Sequence, residues 1–355
     1  IIVIGGVHVT ALPDKTLEEF PEFDIGVIGE GEITFHELCD AIKNNKPLEN
    51  ISGLSFKKNN DIHITSPRER ILDQNSIPFP AWDLLPAAEM YIVMSQRGCP
   101  FNCVFCMNPN GRVARKRSIE NVIEELEMII DDFHPKSVMY GDELFSVDMD
   151  RTRDLLDAMI ATDIPKNIKW WAQTHVRFVD EALFKLMKKA NCSIMGLGIE
   201  TGDEEKLKTL GKGTNLKMMM EARDAAKKAN VAIETYFILG QPNETVESMK
   251  KTVDLAVKMN PELPIFGIMS PYPGTEIARL AANGEAGYRL ATTDWNEYNK
   301  QIGGALEFAN LSRQQIEIMQ IKAYTKVFLL NRRYKDFLKF VWHYRVGAWS
   351  VVKKI

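Results

Sequence analysis

Residues 90 to 283 alternate short apolar segments with longer amphipathic ones, and this repetition limits the possible folds more than any other feature of the sequence. The apolar segments have the length and β-branched content of buried strands, and apolar residues recur between them at helical spacing. The predicted strands are 91–96, 137–141, 169–174, 194–200, 232–239 and 265–270. The predicted helices are 119–131, 151–161, 181–190, 216–229 and 246–258. This α/β pattern predicts a parallel sheet in a partial (β/α)6 barrel, with chemistry at the carboxyl ends of the strands.

Length and composition limit the function classes. A chain of 355 residues is expected to form about two domains. Its formal charge of −4 gives no support for nucleic-acid binding, and no apolar run is long enough for a membrane span. Three of the five cysteines lie within 99–106, which is unlike a disulfide framework. We therefore expect a cytoplasmic protein in a reducing compartment, with clustered thiols that hold metal.

Regions on either side of the barrel complete the predicted domain organisation. Residues 1–46 read as strand, helix, strand and helix, which predicts half of a doubly wound sheet. Because the sequence begins on a bare core strand, we interpret it as a fragment that lacks its N-terminal part. Residues 47–88 are predicted to be a linker with a small hairpin, followed by the barrel over 89–290 and a helical region over 291–355.

The cysteine triplet follows the first barrel strand with the spacing Cys-x3-Cys-x2-Cys, formed by Cys99, Cys103 and Cys106. Three thiolates on one loop can coordinate three irons of a 4Fe–4S cluster, which leaves the fourth iron open to a ligand. Cys192 is too far along the chain to complete the set and is expected to be a small buried apolar residue. A structural zinc site is the alternative, but it normally requires four ligands.

The row RGCPFNCVFC, with Phe105 before the last cysteine, resembles the radical S-adenosylmethionine superfamily. The resemblance implies that the open iron binds the amino and carboxylate groups of S-adenosylmethionine. It also implies that an electron from the reduced cluster releases methionine and a 5′-deoxyadenosyl radical. Cys99, Cys103 and Cys106 would then be the catalytic metal ligands, and Phe105 would lie near the cofactor.

The resemblance extends to later strand ends. Asp142 and Glu143 follow the second strand, where the family places an acidic motif near the methionyl amine. Gly198 and Glu200 end the fourth strand. Gly198 would allow the ligand to approach the backbone, and Glu200 would hydrogen-bond its ribose or amine. Gly240, at the end of the fifth strand, matches the family's adenine contact. The alternatives are that Asp142 and Glu143 are solvated loop acids and that Gly240 belongs to an ordinary turn. Three further side chains are predicted at this barrel end: Gln173, His175 and Tyr236, with His175 interpreted as an ordinary loop histidine.

Two N-terminal motifs resemble the second half of a cobalamin-binding domain, which precedes the barrel in one branch of the superfamily. They comprise Gly5, Gly6 and His8 after the first strand, and Gly29, Glu30 and Gly31 after the second. Glycines after a strand allow a ligand to approach the backbone. This resemblance implies that cobalamin is a cofactor.

The leading functional hypothesis is therefore cobalamin-dependent methyl transfer onto an unactivated carbon of a small-molecule or natural-product substrate. Anaerobic oxidative cyclisation or rearrangement without methylation is the alternative reaction, and a non-catalytic iron–sulfur redox or regulatory protein is the alternative class. A reductant such as flavodoxin or ferredoxin is the expected partner. The basic, aromatic tail over 332–354 is interpreted as a solvated helix, with peripheral membrane contact as its alternative.

Overall fold

The computed structural model describes residues 1–59, 61–300 and 303–343 and divides into two compact units. The first unit comprises Ile1–Pro80, Gln96–Pro100 and Cys106–Ser118. The second unit comprises Ala81–Ser95, Phe101–Phe105 and Ile119–Ile355. The cysteine loop therefore contributes residues to both units.

The first unit contains a four-stranded sheet in the order β1-β2-β3-β4. Its strands are β1 (Val3–Ile4), β2 (Ile25–Val27), β3 (Leu54–Lys58) and β4 (Asp61–Ile64), and its helices are α1 (Val7–Ala11), α2 (Pro13–Glu19) and α3 (Gly31–Lys43). β1 and β2 are parallel, whereas β3 pairs antiparallel with both β2 and β4. The hairpin assigned to the linker is thus part of this sheet, where β3 pairs with the strand edge that β2 would otherwise expose.

Two short strands of the first unit flank the cysteine loop. The chain leaves β5 (Met90–Val93) of the second unit and forms β6 (Gln96–Arg97), which pairs antiparallel with β7 (Arg115–Lys116). Cys99, Cys103 and Cys106 all lie between these two strands in the sequence. We refer to β6 and β7 as the ribbon.

The second unit contains a six-stranded sheet in the order β12-β11-β10-β9-β8-β5, and every neighbouring pair is parallel. The sequential order and the intervening helices confirm the predicted partial barrel. The remaining strands are β8 (Ser137–Tyr140), β9 (Lys169–Thr174), β10 (Cys192–Glu200), β11 (Ala232–Leu239) and β12 (Leu263–Ile268). The helices are α4 (Ile119–Phe133), α5 (Met149–Ala161), α6 (Ile164–Asn167), α7 (Glu181–Lys189), α8 (Glu204–Thr209), α9 (Leu216–Lys228), α10 (Val246–Met259) and α11 (Glu276–Ala282).

The two faces of this sheet differ because successive side chains along a strand point to opposite sides. Trp170, Leu197 and Phe237 are fully buried in the core that also includes the apolar helix residues Leu126 and Leu155. Residues of the opposite parity, which include Gln173, Glu234 and Tyr236, are only partly buried. The latter form the open face of the sheet.

The described part of the region predicted as helical over 291–355 contains α12 (Arg313–Leu330) and α13 (Tyr334–His343). Before them it also contains a strand that was not predicted, β14 (Leu306–Phe308), which pairs antiparallel with β13 (Tyr288–Leu290). Tyr288 is buried, and its hydroxyl donates to the Gly240 carbonyl at 2.8 Å, so this pair packs at the end of β11. The predicted tail continues into residues 344–354, which lie outside the described part of the chain. Within the described residues, no helix combines the length and apolarity needed to cross a bilayer.

Candidate active site

Hydrogen bonds with the segment that follows Cys106 hold the main chain of Cys99. The Cys99 amide donates to the Gly111 carbonyl at 2.9 Å, and the Asn108 side-chain amide donates to the Cys99 carbonyl at 2.5 Å. Gly98 has φ of +102°, and a Cβ at this position would collide with the Val113 carbonyl oxygen. Only glycine therefore permits the chain to turn from the ribbon into the cysteine loop in this way.

Glu30 lies at the centre of an ion cluster on the ribbon. Its side chain is 5% exposed, and it accepts hydrogen bonds from Arg115 Nη1 at 2.7 Å, Arg97 Nη1 at 3.1 Å and the Ile71 amide at 3.1 Å. Arg97 Nη2 also lies 2.6 Å from a Glu32 carboxylate oxygen. Burial alone would raise the pKa of Glu30, but the hydrogen bonds from Arg115 and Arg97 hold it below its usual value. These contacts engage a side chain that the sequence assigned to cobalamin binding.

The middle of the cysteine loop packs within the second unit. The Phe101 and His175 rings are stacked with centroids 4.3 Å apart and planes 16° apart. The Val104 amide donates to the Leu210 carbonyl at 3.2 Å, and the Val104 carbonyl accepts from the Ile277 amide at 3.1 Å. Phe105 packs against the apolar cluster that contains Leu210 and Ile277. His175 directly follows β9, and Leu210 lies in the connection between β10 and α9, so residues 101–105 of the loop pack at the carboxyl edge of the sheet.

Cys99 and Cys103 are partly buried, whereas Cys106 is exposed. Within residues 1–59, 61–300 and 303–343, no three His, Cys, Asp or Glu side chains are assembled as a metal-binding group. The donor chemistry nevertheless fits an iron–sulfur cluster, because three thiols follow one another on a single loop with the spacing Cys-x3-Cys-x2-Cys. Cys192 is excluded from this set by its place in the core, where burial raises the pKa of its thiol to about 12.

Glu200 and Lys212 form a buried ion pair at the end of β10. Their side chains are 7% and 8% exposed, and Lys212 Nζ also donates to the Gly198 carbonyl at 2.7 Å. Glu200 has φ of +67° at an irregularity in the β10–β11 register, an uncommon conformation for a residue with a Cβ. A Cβ on Gly198 would collide with the Lys212 ammonium and lie 2.6 Å from a Glu200 carboxylate oxygen. Strain and a buried ion pair at one strand end are typical of functional sites.

Lys212 was not predicted as a site residue, although its sequence context contains a usable signal. It lies between Gly211 and Gly213, both with φ of +68°. Glycines with positive φ on both sides mark a turn, which places this lysine in the connection between α8 and α9. The Lys212 carbonyl is also within 3.1 Å of His175 Nε2, so this residue joins the Glu200 pair to the histidine that stacks on the cysteine loop.

Asp142 has a different environment from the expected one. It is fully buried, and its two carboxylate oxygens accept from the Ser95 amide at 2.7 Å and the Ser95 hydroxyl at 2.6 Å. These bonds connect the ends of β5 and β8. Glu143 is partly exposed and remains the more accessible of the two predicted acids.

Gly240 lies in a turn that is organised by the buried carboxylate of Glu244. This carboxylate accepts from the amides of Gly240 and Gln241, the latter at 2.8 Å, and from the Ser248 hydroxyl at 3.1 Å. Burial raises the pKa of Glu244 to about 7, although these hydrogen bonds oppose the shift. The turn assigned to adenine binding is therefore built around an acid that the sequence analysis did not single out.

Replacing Glu244 by glutamine is expected to change the pH dependence of stability. Between the ordinary pKa of 4.5 and the folded value of about 7, the native state keeps a proton that the unfolded chain releases. The wild-type free energy of unfolding therefore falls across this window as pH rises, by on the order of 2 kcal/mol from this group. The amide oxygen of glutamine can still accept the backbone hydrogen bonds. Urea unfolding at pH 5 and pH 8 should show the variant gaining stability relative to wild type at pH 8, and equal pH dependence would contradict this assignment.

The open face of the sheet carries a polar group beside these residues. Tyr236 donates to a Glu234 carboxylate oxygen at 2.8 Å, and burial raises the pKa of both groups. A Cβ on Gly196 would lie 2.9 Å from the Tyr236 hydroxyl and 3.2 Å from Gln173 Cβ. The structure thus brings Gln173 and Tyr236 together, as expected for one barrel face, and adds Glu234.

The glycines of the N-terminal motifs lie at the carboxyl ends of β1 and β2. A Cβ on Gly6 or Gly29 would meet no atom within 4 Å, so the space beside both is open. Thr10 connects the two loops, because its hydroxyl accepts from the Gly29 amide at 3.0 Å. Gly5 is exposed, and His8 and Gly31 are partly exposed. Open glycine loops at neighbouring parallel strand ends fit a broad ligand such as a corrinoid.

Comparison with known proteins agrees with this fold. The profile described as Radical SAM superfamily matches residues 93–256. An uncharacterized methyltransferase of Pyrococcus horikoshii is 34% identical over 92% of this chain and 72% of its own length. The anaerobic magnesium-protoporphyrin IX monomethyl ester cyclase of Cereibacter sphaeroides is 28% identical over 84% of this chain, which spans half of that enzyme.

A solved structure shares the fold. The radical S-adenosylmethionine methyltransferase TsrM from Kitasatospora setae, with cobalamin and a [4Fe-4S] cluster bound, has a TM-score of 0.72. It is 17% identical, and the match covers 92% of this chain and 71% of TsrM. The βα sheet with its cysteine loop therefore defines an iron–sulfur enzyme that uses S-adenosylmethionine. The chain belongs to the radical S-adenosylmethionine superfamily.

Proposed function

We propose that this protein cleaves S-adenosylmethionine at a 4Fe–4S cluster and uses cobalamin to transfer a methyl group onto an unactivated carbon of a small molecule. One observation carries the first half of the proposal: residues 101–105, which include Cys103, pack at the carboxyl edge of the parallel sheet. Loops at this edge hold the chemistry of related βα barrels.

Cys99, Cys103 and Cys106 would hold the cluster, and the chemistry that such a cluster supplies is one-electron cleavage of S-adenosylmethionine. The surrounding residues of this chain would position the loop. The Phe101–His175 stack and the Val104 hydrogen bonds fix residues 101–105 of the loop, and the absence of a side chain at Gly198 accommodates the Glu200–Lys212 pair. These charged groups suit the zwitterionic end or the ribose of the ligand, while Gly240 lines the next strand end.

Cobalamin and methyl transfer have separate support. Gly6 and Gly29 lie beside open space at the ends of β1 and β2, where a broad ligand would fit. The relative from Pyrococcus horikoshii is named a methyltransferase, and TsrM was solved with cobalamin. The 28% identical relative is named a cyclase, so oxidative cyclisation without methylation is the second candidate.

Anaerobic reconstitution tests the proposal in two stages. The purified protein is loaded with iron, sulfide and hydroxocobalamin, reduced with dithionite, and given S-adenosylmethionine that carries an isotopic label on its methyl group. Equal amounts of deoxyadenosine and methionine are expected from the cluster reaction, and labelled methylcobalamin is expected from the methyl branch. Deoxyadenosine without any label on the corrinoid would favour cyclisation. Zinc without iron or sulfide, or a stable cluster without cleavage, would reject the enzyme.

A further inference from the structure

We propose that Glu30 is a positioning residue for the cluster, because it fixes the ribbon that carries Cys99 through Arg97 and Arg115. The inference rests on the proposed function, since it concerns how the cluster ligands are held. Every contact used below lies within the first unit.

The pairing of the ribbon requires an anion. Arg97 on β6 and Arg115 on β7 are directly opposite each other in the antiparallel register. Like charges in directly opposed positions destabilise a strand pair. Glu30 accepts a hydrogen bond from both guanidinium groups, at 3.1 and 2.7 Å, and so supplies the compensating charge. The 4% exposed side chain of Arg115 has little access to water as a substitute.

Arg97 and Arg115 are both linked closely to Cys99, the first cluster ligand in the sequence. Arg97 precedes Cys99 by two positions, with only Gly98 between them. Arg115 Nη2 donates to the Asn110 carbonyl at 3.0 Å, and the adjacent Gly111 carbonyl accepts from the Cys99 amide at 2.9 Å. Glu30 therefore restrains two segments. One is the residues that precede Cys99, and the other is the segment 110–111, whose Gly111 carbonyl accepts from the Cys99 amide.

Loss of the Glu30 charge would leave two opposed guanidinium groups without their shared partner. The ribbon would relax, and the Cys99 sulfur would be held less firmly. Outer partners of metal ligands typically contribute about 10- to 100-fold to metal affinity. We therefore expect a weakened and spectroscopically altered cluster, not merely a less stable fold.

The test compares anaerobically reconstituted wild type, Glu30→Gln and the control Glu37→Gln. Glu37 lies on α3 and pairs with Arg68, so the control removes one carboxylate of the same unit without touching the ribbon. Iron and sulfide content, the rate of iron release to a ferrous chelator, and the EPR spectrum of the reduced cluster are measured. Glu30→Gln is expected to release iron about tenfold faster than wild type, with shifted EPR line shape. Glu37→Gln should match wild type in all three.

Arg97→Lys provides a second variant if Glu30→Gln fails to fold. Lysine keeps the positive charge but cannot bind Glu30 and Glu32 with a planar fork, so the same changes are expected in weaker form. Wild-type release rate and EPR spectrum in the folded ribbon variants would overturn the positioning role alone. A wild-type protein that assembles no cluster would overturn the proposed function as well, so the two failures are distinguishable.

Discussion

Replacing Cys103 by alanine is expected to abolish S-adenosylmethionine cleavage and to remove most of the bound iron. Two thiolates remain in this variant, and they cannot hold three corners of a cubic cluster. The loss should exceed the roughly 100-fold that removal of an outer partner of a metal ligand can cause. Iron and sulfide per chain after anaerobic reconstitution, and deoxyadenosine formed with dithionite, measure the effect.

Cys39→Ala is the matched control for the cysteine variant. Cys39 is exposed on α3, outside the loop, and its loss should leave the iron content and the cleavage rate at wild-type values. Full cluster content and cleavage in Cys103→Ala would show that this thiol is not a ligand. Equal losses in both variants would indicate general oxidation sensitivity instead.

The second large effect concerns stability: Lys212→Met is expected to lower the free energy of unfolding by about 3–5 kcal/mol. The substitution leaves the Glu200 carboxylate buried, with its side chain 7% exposed and without its cationic partner. Removing both charges together avoids this unpaired charge, so Glu200→Gln combined with Lys212→Met should be markedly more stable than Lys212→Met alone. Urea unfolding followed by circular dichroism measures all three proteins.

Lys217→Met provides the comparison for this pair. Lys217 and Glu221 form an i,i+4 ion pair on α9 at 3.7 Å, with side chains 84% and 63% exposed. Solvent screens such a pair, so its loss should cost less than about 1 kcal/mol. An equal cost for Lys212→Met and Lys217→Met would mean that the Glu200 pair is hydrated and contributes little.

The sheet of the barrel was predictable because its strands are buried on the helix side and have distinct apolar runs. Lys169–Thr174 and Ala232–Leu239 were predicted with the bounds that the structure gives. The pair β13 and β14 was missed because each strand has only three residues and depends on packing against the end of β11. Three-residue segments carry too little periodicity for a prediction.

The cysteine triplet was recognisable because its chemistry depends on local spacing. The long-range contacts of the surrounding residues were not predictable, because the partners are distant in sequence. Arg115 and Glu30 are 85 residues apart, and Ser95 and Asp142 are 47 apart. A carboxylate that binds a ligand and one that binds a buried hydroxyl look the same in a sequence. The tertiary contacts show that Asp142 binds the Ser95 amide and hydroxyl, and its role as a ligand residue stays a prediction.

The ring of His175 has consequences for acid tolerance. Its Nδ1 accepts from the Arg177 amide at 3.1 Å, so Nε2 carries the proton and donates to the Lys212 carbonyl. Burial, with Lys212 nearby, lowers the pKa of this histidine from 6.5 to about 3. The neutral ring contributes stability that is complete above pH 6.5 and declines as acidity increases towards pH 3. The His175 ring that stacks on Phe101 therefore keeps one tautomer at neutral pH, and strong acid is expected to destabilise this stack.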